Sequence, residues 1–399
     1  MTKYIRIKKL DAKRKEVFEK YFADEQGDFY FEGMWLRDQR KANANQSGWK
    51  DESTARRRYI HFYDKYVVEK VGEDSYLSIK DIYLTVTNTL PKDEIDEYKN
   101  KIFNALKSQN YKKEGDNFYT KSRIEVLLFD YENHPKNAET GATFPENYAS
   151  FDVIIKTEGN QWQSHYNRMW EHSTKMYRLP DKRENPHYET DIKALKQFLP
   201  AQIEMGCGPS IEVGIPPLYE MHETYKVQNH ETRKFYFSNQ DDLVLSIILD
   251  HQKMYEKFAA VPVFCLEAKH SDAYKIFGKA YKQGHFIGTV YNNNFDRLVT
   301  RLDIPEIILR IYEKKTYLPK IKFDDGAKSL ICIGCHADRR QVQKQAREQG
   351  LKVVFVDPEG FCENDKFVSY PIEGPQKEDI IYKMTFTEFM TKFENEFLK

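Results

Sequence analysis

Three glycines crowd the stretch Met205 to Pro217, MGCGPSIEVGIPP: Gly206 and Gly208 flank Cys207, and Gly214 follows Ser210. A strand-like run, Ile203 to Met205, leads directly into it. A glycine turn leaving a strand lets the backbone approach a pyrophosphate closely, with N–H groups as partners for the anion. A tight loop holding no ligand has the same composition, and a lone glycine fingerprint does not choose between the two. Three later segments carry residues of matching chemistry. Asn292, Asn293, Asn294 and Asp296 lie in VYNNNFDRL, an amide run followed by a carboxylate. Gly334, Cys335 and His336 lie in ICIGCHAD, and Asp357 follows the run KVVFV. Strand carboxyl ends of a parallel α/β sheet share one crevice, and small residues, amides and carboxylates there suit a nucleotide with its ribose.

The elements that must position these residues alternate along the second half of the chain. Helical patterns are expected at Thr190 to Phe198, Asp241 to Phe258, Ser271 to Gln283 (closed by Gly284) and Asp338 to Gln349 (closed by Gly350). Apolar runs expected as strands are FIGTVY (Phe286 to Tyr291), SLICIG and KVVFVD. Buried strands alternating with amphipathic helices indicate a parallel sheet covered on both faces. The first half mixes helices at Ala12 to Phe22, Pro91 to Asn110 and Trp162 to Tyr177 with strands at Arg123 to Tyr131 and Phe151 to Lys156. A hairpin with a Gly-Asp-Asn turn is expected at Gly115 to Asn117. The expected organisation is an α+β domain at 1–180, a charged, proline-containing linker at 181–188, and an α/β domain at 189–399.

The chain has 399 residues, enough for two or three cores, and its 62 Lys+Arg balance 62 Asp+Glu. Neutral net charge argues against general nucleic-acid binding. No apolar run approaches about 18 residues, and the opening MTKYIRIKK lacks the apolar core of a signal peptide, so a cytoplasmic protein that engages no membrane is expected. The five cysteines, Cys207, Cys265, Cys332, Cys335 and Cys362, fit a reducing compartment. Cys332 and Cys335 form a CIGC string with no second such pair, so buried or loop cysteines are expected there and zinc is not.

In their order, these segments resemble the sirtuin family of NAD-dependent enzymes. The family's GAG-x-S…GIP loop is similar to Gly206 to Pro216, and its TQN-I-D segment to Asn292 through Asp296. Its GTS turn resembles Gly334, Cys335 and His336, and its late strand end, which receives the adenosine ribose, resembles Val353 to Asp357. The likeness covers about the last 200 residues, one domain by size. It implies a Rossmann-like doubly wound parallel sheet and NAD as ligand or substrate. Gly206, Cys207, Gly208, Ser210, Ile215, Pro216, Tyr219, Asn293, Gly334, Cys335, His336 and Asp357 are the positions it implies for cofactor binding. Asn294 would contact the nicotinamide ribose, and Asp296 would accept from the nicotinamide carboxamide. Read without the likeness, Asn294 is a turn former and Asp296 a helix cap.

The departures redirect the expected chemistry. Pro217, Leu218 and Tyr219 stand where the family has Asp-Phe-Arg after GIP. Tyr312 falls where the family has its catalytic histidine, and neutral tyrosine, with an ordinary pKa of about 10, is a poor base. No cysteine lies between Cys265 and Cys332, so the family's zinc module is missing. The expectation is therefore cleavage of NAD at the nicotinamide bond, by hydrolysis or ADP-ribosyl transfer, rather than lysine deacetylation. His285, His336 and His222 are possible substitute bases. Three rivals stand beside it: a silent sensor of NAD or ADP-ribose, a deacylase with a relocated base, and a related α/β fold with another ligand. Residues 1–180 have no recognised family; they would present a protein substrate, gate the crevice or hold a partner. In that half, Arg56, Arg57 and Arg58 suit phosphate or acidic surfaces, or the solvated start of a helix.

Overall fold

The computed structural model describes residues 4–37, 58–131, 148–158, 187–216, 243–309, 321–335, 338, 340–358, 360, 362–363, 366–367 and 374–399. The chain is mixed α/β, with a large antiparallel sheet and a separate parallel sheet. It divides into two compact units, Met1–Thr174 with Leu218–Val263, and Lys175–Pro217 with Phe264–Lys399. In chain order the described helices are α1 (Ala12–Tyr21), α2 (Lys92–Ser108), α3 (Gly208–Glu212), α4 (Leu243–Phe258), α5 (Ala260–Glu267), α6 (Asp272–Lys282), α7 (Val342–Glu348) and α8 (Phe386–Phe397). Short 3-10 turns span Ile192–Phe198 and Thr300–Leu302.

In the first unit, β1 (Ile5–Leu10), β2 (Asp28–Arg37), β3 (Arg58–Val71), β4 (Asp74–Asp81), β5 (Tyr83–Pro91), β6 (Lys112–Lys113), β7 (Phe118–Lys121), β8 (Ile124–Tyr131) and β9 (Tyr148–Thr157) form one antiparallel sheet. Period-two alternation sets its inner face, where Phe62, Asp64 and Tyr66 of β3 are all buried. The expected hairpin turn at Gly115–Asn117 joins β6 to β7. Arg58 opens a strand, not a helix; Arg56 and Arg57 lie outside the described residues, as does the helix expected at Trp162 to Tyr177. Helix α4, expected in the second half's alternation, belongs to this unit: it packs on α2, and Phe258 stacks on Phe62 at 6.0 Å between ring centroids. It is kinked at Asp250, where φ is −133°.

In the second unit, seven strands run parallel: β10 (His187–Glu189), β11 (Ala201–Met205), β12 (Val290–Asn292), β13 (Glu306–Ile308), β14 (Ser329–Ile333), β15 (Lys352–Val356) and β18 (Ile380–Tyr382). A small hairpin, β16 (Cys362–Glu363) and β17 (Lys366–Phe367), stands apart. The sheet order is β10-β18-β15-β14-β11-β12-β13. From β11 the chain builds outward through β12 to β13, then returns to the other side of β11 and builds through β14 and β15 to β18. One face packs Ile203, Met205, Ile331, Ile333 and Val354 against α6 and α8. The other packs Leu330, Cys332, Val353 and Phe355 with Val342 and Ala346 of α7.

Four expected elements change in extent. His187 and Tyr188, expected as the end of a linker, form the edge strand β10 beside β18; residues 181–186 lie outside the described set. The helix expected from Thr190 is a 3-10 turn. The strand expected from Phe286 begins only at Val290, because Gly288 adopts φ +69° and breaks the extended chain, although Phe286 still bridges Ala201. The helix expected from Asp338 starts at Val342, after Gln341 in the left-handed region.

Candidate functional site

Met205 and Ile333 end adjacent strands in register, so Gly206 and Gly334 leave the sheet side by side at the point where strand order reverses. Gly206 N donates to Ile333 O at 2.8 Å, and Gly334 N donates to Val356 O at 2.8 Å. The approach leaves no room for side chains. A Cβ on Gly206 would lie 2.1 Å from Gly334 O, and one on Gly334, whose φ is +65°, would lie 2.6 Å from Gly208 N. The turn runs into α3, which contains Pro209 and the buried Ser210. Cys207 is exposed, with its Sγ 4.0 Å from Gly334 O.

The amide run meets this turn from β12. Asn292 is buried; its Nδ2 donates to Glu306 Oε2 at 2.8 Å and its Oδ1 accepts from Asn294 N at 2.9 Å. Asn293 donates to Met205 O from both its backbone N, at 2.8 Å, and its Nδ2, at 3.3 Å. Asn294 Nδ2 donates to Gly206 O at 2.5 Å. Asn294 is thus a turn residue and a neighbour of the glycine turn at once.

Asp296 is only 1 % exposed. Its Oδ2 accepts from Ser210 Oγ at 2.5 Å, and its Oδ1 accepts from Leu298 N at 2.9 Å. Burial holds its carboxyl above the usual range, opposed by the hydrogen bonds from Ser210 and Leu298. Tyr274 of α6 is buried against the same pair; its hydroxyl donates to Met205 Sδ at 3.7 Å, and burial with the nearby Asp296 charge pushes that hydroxyl up. The structure therefore brings Asn294 and Asp296 to the glycine turn, with Asp296 turned inward onto Ser210.

The remaining expected positions divide. Ile215 is buried and Pro216 half-buried beyond α3. Asp357 is buried at the end of β15, where its Oδ1 accepts from Gly360 N at 3.2 Å and closes the turn. Cys335 is buried, its thiol 3.8 Å from Glu204 O, and burial pushes Cys332 and Cys335 far from thiolate formation. Tyr219, His222, Tyr312 and His336 lie outside the described residues. His285 is no substitute base for this crevice: its carbonyl accepts from Ala201 N, at the amino end of β11, and its ring packs on Phe393 at 5.7 Å.

Three polar residues beneath the turn escaped the sequence reading. Glu204 is a buried acid inside β11, Gln343 on α7 donates to it from Nε2 at 3.0 Å, and Asp338 accepts from the backbone N of Gln343 and Lys344 at 3.1 and 2.8 Å. The signal for Glu204 was present as a lone charge in the strand AQIEM. Asp338, expected as the first residue of the helix, instead caps α7 from outside. A depression of about 480 Å³ lies beside α3, lined by Glu212, Val213, Gly214, Phe264, Glu267 and Ala268 among others, and it includes neither Asn294 nor Asp296. Among the described residues no group of three or more His, Cys, Asp or Glu is placed to hold a metal ion, and no helix is long and apolar enough to cross a membrane. No protein-family model matches the chain significantly, and neither does any curated protein or solved structure.

Proposed function

We propose that the second unit is a Rossmann-like, sirtuin-like domain that binds NAD across the Gly206 turn and cleaves it at the nicotinamide bond, by hydrolysis or ADP-ribosyl transfer. The observation that carries this reading is the gathering of Asn294 and Asp296 onto the glycine turn at the strand-order reversal. An open parallel sheet binds ligands at that reversal, outside the carboxyl ends of its strands. The paired glycines let the two turns pack backbone against backbone at that reversal, and successive N–H groups of such a turn are partners for a pyrophosphate. Cleavage of this bond needs the nicotinamide end held and the positive charge developing at the sugar carbon stabilised. Asn294 turns its amino group to Gly206 O, which leaves its carbonyl oxygen for the ribose side. Asp296, held on Ser210 beside the turn, is the acceptor this reading gives to the nicotinamide carboxamide.

Nicotinamide release from NAD by the purified full chain tests the reading, assayed with and without added protein acceptors. Release above background is expected; protein that neither binds nor cleaves NAD defeats it.

One observation favours a second reading, in which the nucleotide is held without chemistry. Both oxygens of Asp296 already serve the protein, through Ser210 and Leu298, so a carboxamide must displace Ser210 or share its acceptor. Calorimetry with NAD and with ADP-ribose separates the two: binding of either without nicotinamide release selects the sensor.

A further inference from the structure

Strand β11 is buried along its whole length, yet the face it turns toward Cys332 carries Gln202 and Glu204. Gln202 is used locally, donating to Thr289 O at 2.7 Å and accepting from Asp324 N at 2.8 Å. Glu204 reaches both sides of the strand-order reversal. One oxygen accepts from Asn293 Nδ2 at 3.1 Å, at the end of β12, and the other accepts from Gln343 Nε2 at 3.0 Å, on α7. A carboxyl group 2 % exposed is a costly way to fill space, since an apolar side chain of similar volume packs there without desolvation.

Its effect on Asn293 is specific. The two hydrogens of that amino group go to Glu204 and to Met205 O. The amide is planar, so its carbonyl oxygen points away from both acceptors and is the polar atom left for a ligand. A carbonyl oxygen accepts; it selects hydroxyl donors and rejects phosphate oxygens.

We propose that Glu204 is a positioning residue of the crevice, holding the Asn293 amide so that its carbonyl oxygen receives a ribose hydroxyl, and tying that amide through Gln343 to the helix across the reversal. The proposal rests on the nucleotide reading above. Asp338, Arg347 and the Cys332 thiol face the same carboxyl, and burial raises it above the usual range. Charged or neutral, it retains an oxygen for Asn293. Gln343 Oε1 has no hydrogen-bond partner among the described residues, so this amide can rotate to accept from a neutral partner.

Glu204→Leu fills the space without an acceptor, while Glu204→Gln keeps one and can donate to the rotated Gln343. In the ligand-free full chain, the Asn293 side-chain amide signals are identified by their loss from the NMR spectrum of Asn293→Ala. They are expected to shift in Glu204→Leu and to stay near their native position in Glu204→Gln. Unmoved signals in Glu204→Leu overturn the proposal whatever the protein binds. With NAD as the probe, Glu204→Leu and Asn293→Ala are each expected to weaken calorimetric binding about tenfold, and the double variant no further. Multiplying losses, or native affinity in Glu204→Leu, overturn it as well. Native protein that binds no NAD defeats the nucleotide reading instead, and the amide signals then decide alone whether Glu204 holds Asn293. Glu204→Met serves the same comparisons if the leucine variant fails to fold.

Discussion

Asn294 and Asp296 are two residues apart and serve the turn differently: one reaches its backbone from the side, the other anchors Ser210 from below. Asn294→Ala removes a half-buried amide whose carbonyl oxygen the proposed reaction uses. Nicotinamide release is expected to fall to background while the melting temperature moves by a few degrees at most; turnover near native would remove Asn294 from the chemistry. The sequence made the order of these residues legible, because glycine, amide and carboxylate types announce themselves. It did not make direction legible. The same Asp296 reads as a ligand acceptor or a helix cap, and only the packing of Tyr274 and Ser210 around it decides which way the carboxylate faces. Glu204 was hidden for the opposite reason: one acid in an apolar strand breaks the pattern without naming a partner, and its partners stand 89 and 139 residues away.

Paired strand ends and helix caps set the geometry at the next scale. Gly206→Ala places a methyl group against Gly334 O, a backbone atom that moves only if β11 and β14 separate. A loss of about 3 kcal/mol or more is expected, read as a lower denaturant midpoint, together with loss of nucleotide binding. Glu212 works at a distance from the sheet: its carboxylate accepts from Phe386 N at 2.7 Å and Thr387 N at 3.0 Å, capping the start of α8. Glu212→Ala is expected to cost about 1 kcal/mol, seen as a fall of a few degrees in melting temperature with NAD turnover retained. Continuous apolar runs located β14 and β15 because buried parallel strands leave that signature. The short β12 was overdrawn because Gly288, with φ +69°, interrupts a run that hydropathy alone extends.

Across the whole chain, continuous apolar runs in the second half made the parallel sheet foreseeable, whereas the nine-stranded antiparallel sheet of the first unit was legible only as two strands and a hairpin in an α+β half. The allegiance of α4 was not foreseeable, since its amphipathic pattern fits either sheet and its packing on α2 and the stack of Phe258 on Phe62 assign it. The first unit also stores a titration. Asp64 is buried beside the Tyr66 hydroxyl, 3.3 Å away, and burial pushes its carboxyl up to about 8. In the unfolded chain that carboxyl ionises near 4, so the folded state holds the extra proton between those values. Stability from this group is full below about pH 4 and drains away as pH rises toward 8. Asp64→Asn is expected to flatten that decline and to raise the melting temperature at pH 8 relative to pH 5; an unchanged slope would discount the residue. The return of α4 to the antiparallel sheet also governs how the protein can be dissected. A cut near residue 180 strips Phe258 from Phe62 and bares an aromatic surface, so the amino-terminal fragment should aggregate by itself and regain solubility when residues 218–263 are supplied in trans or spliced back onto its end.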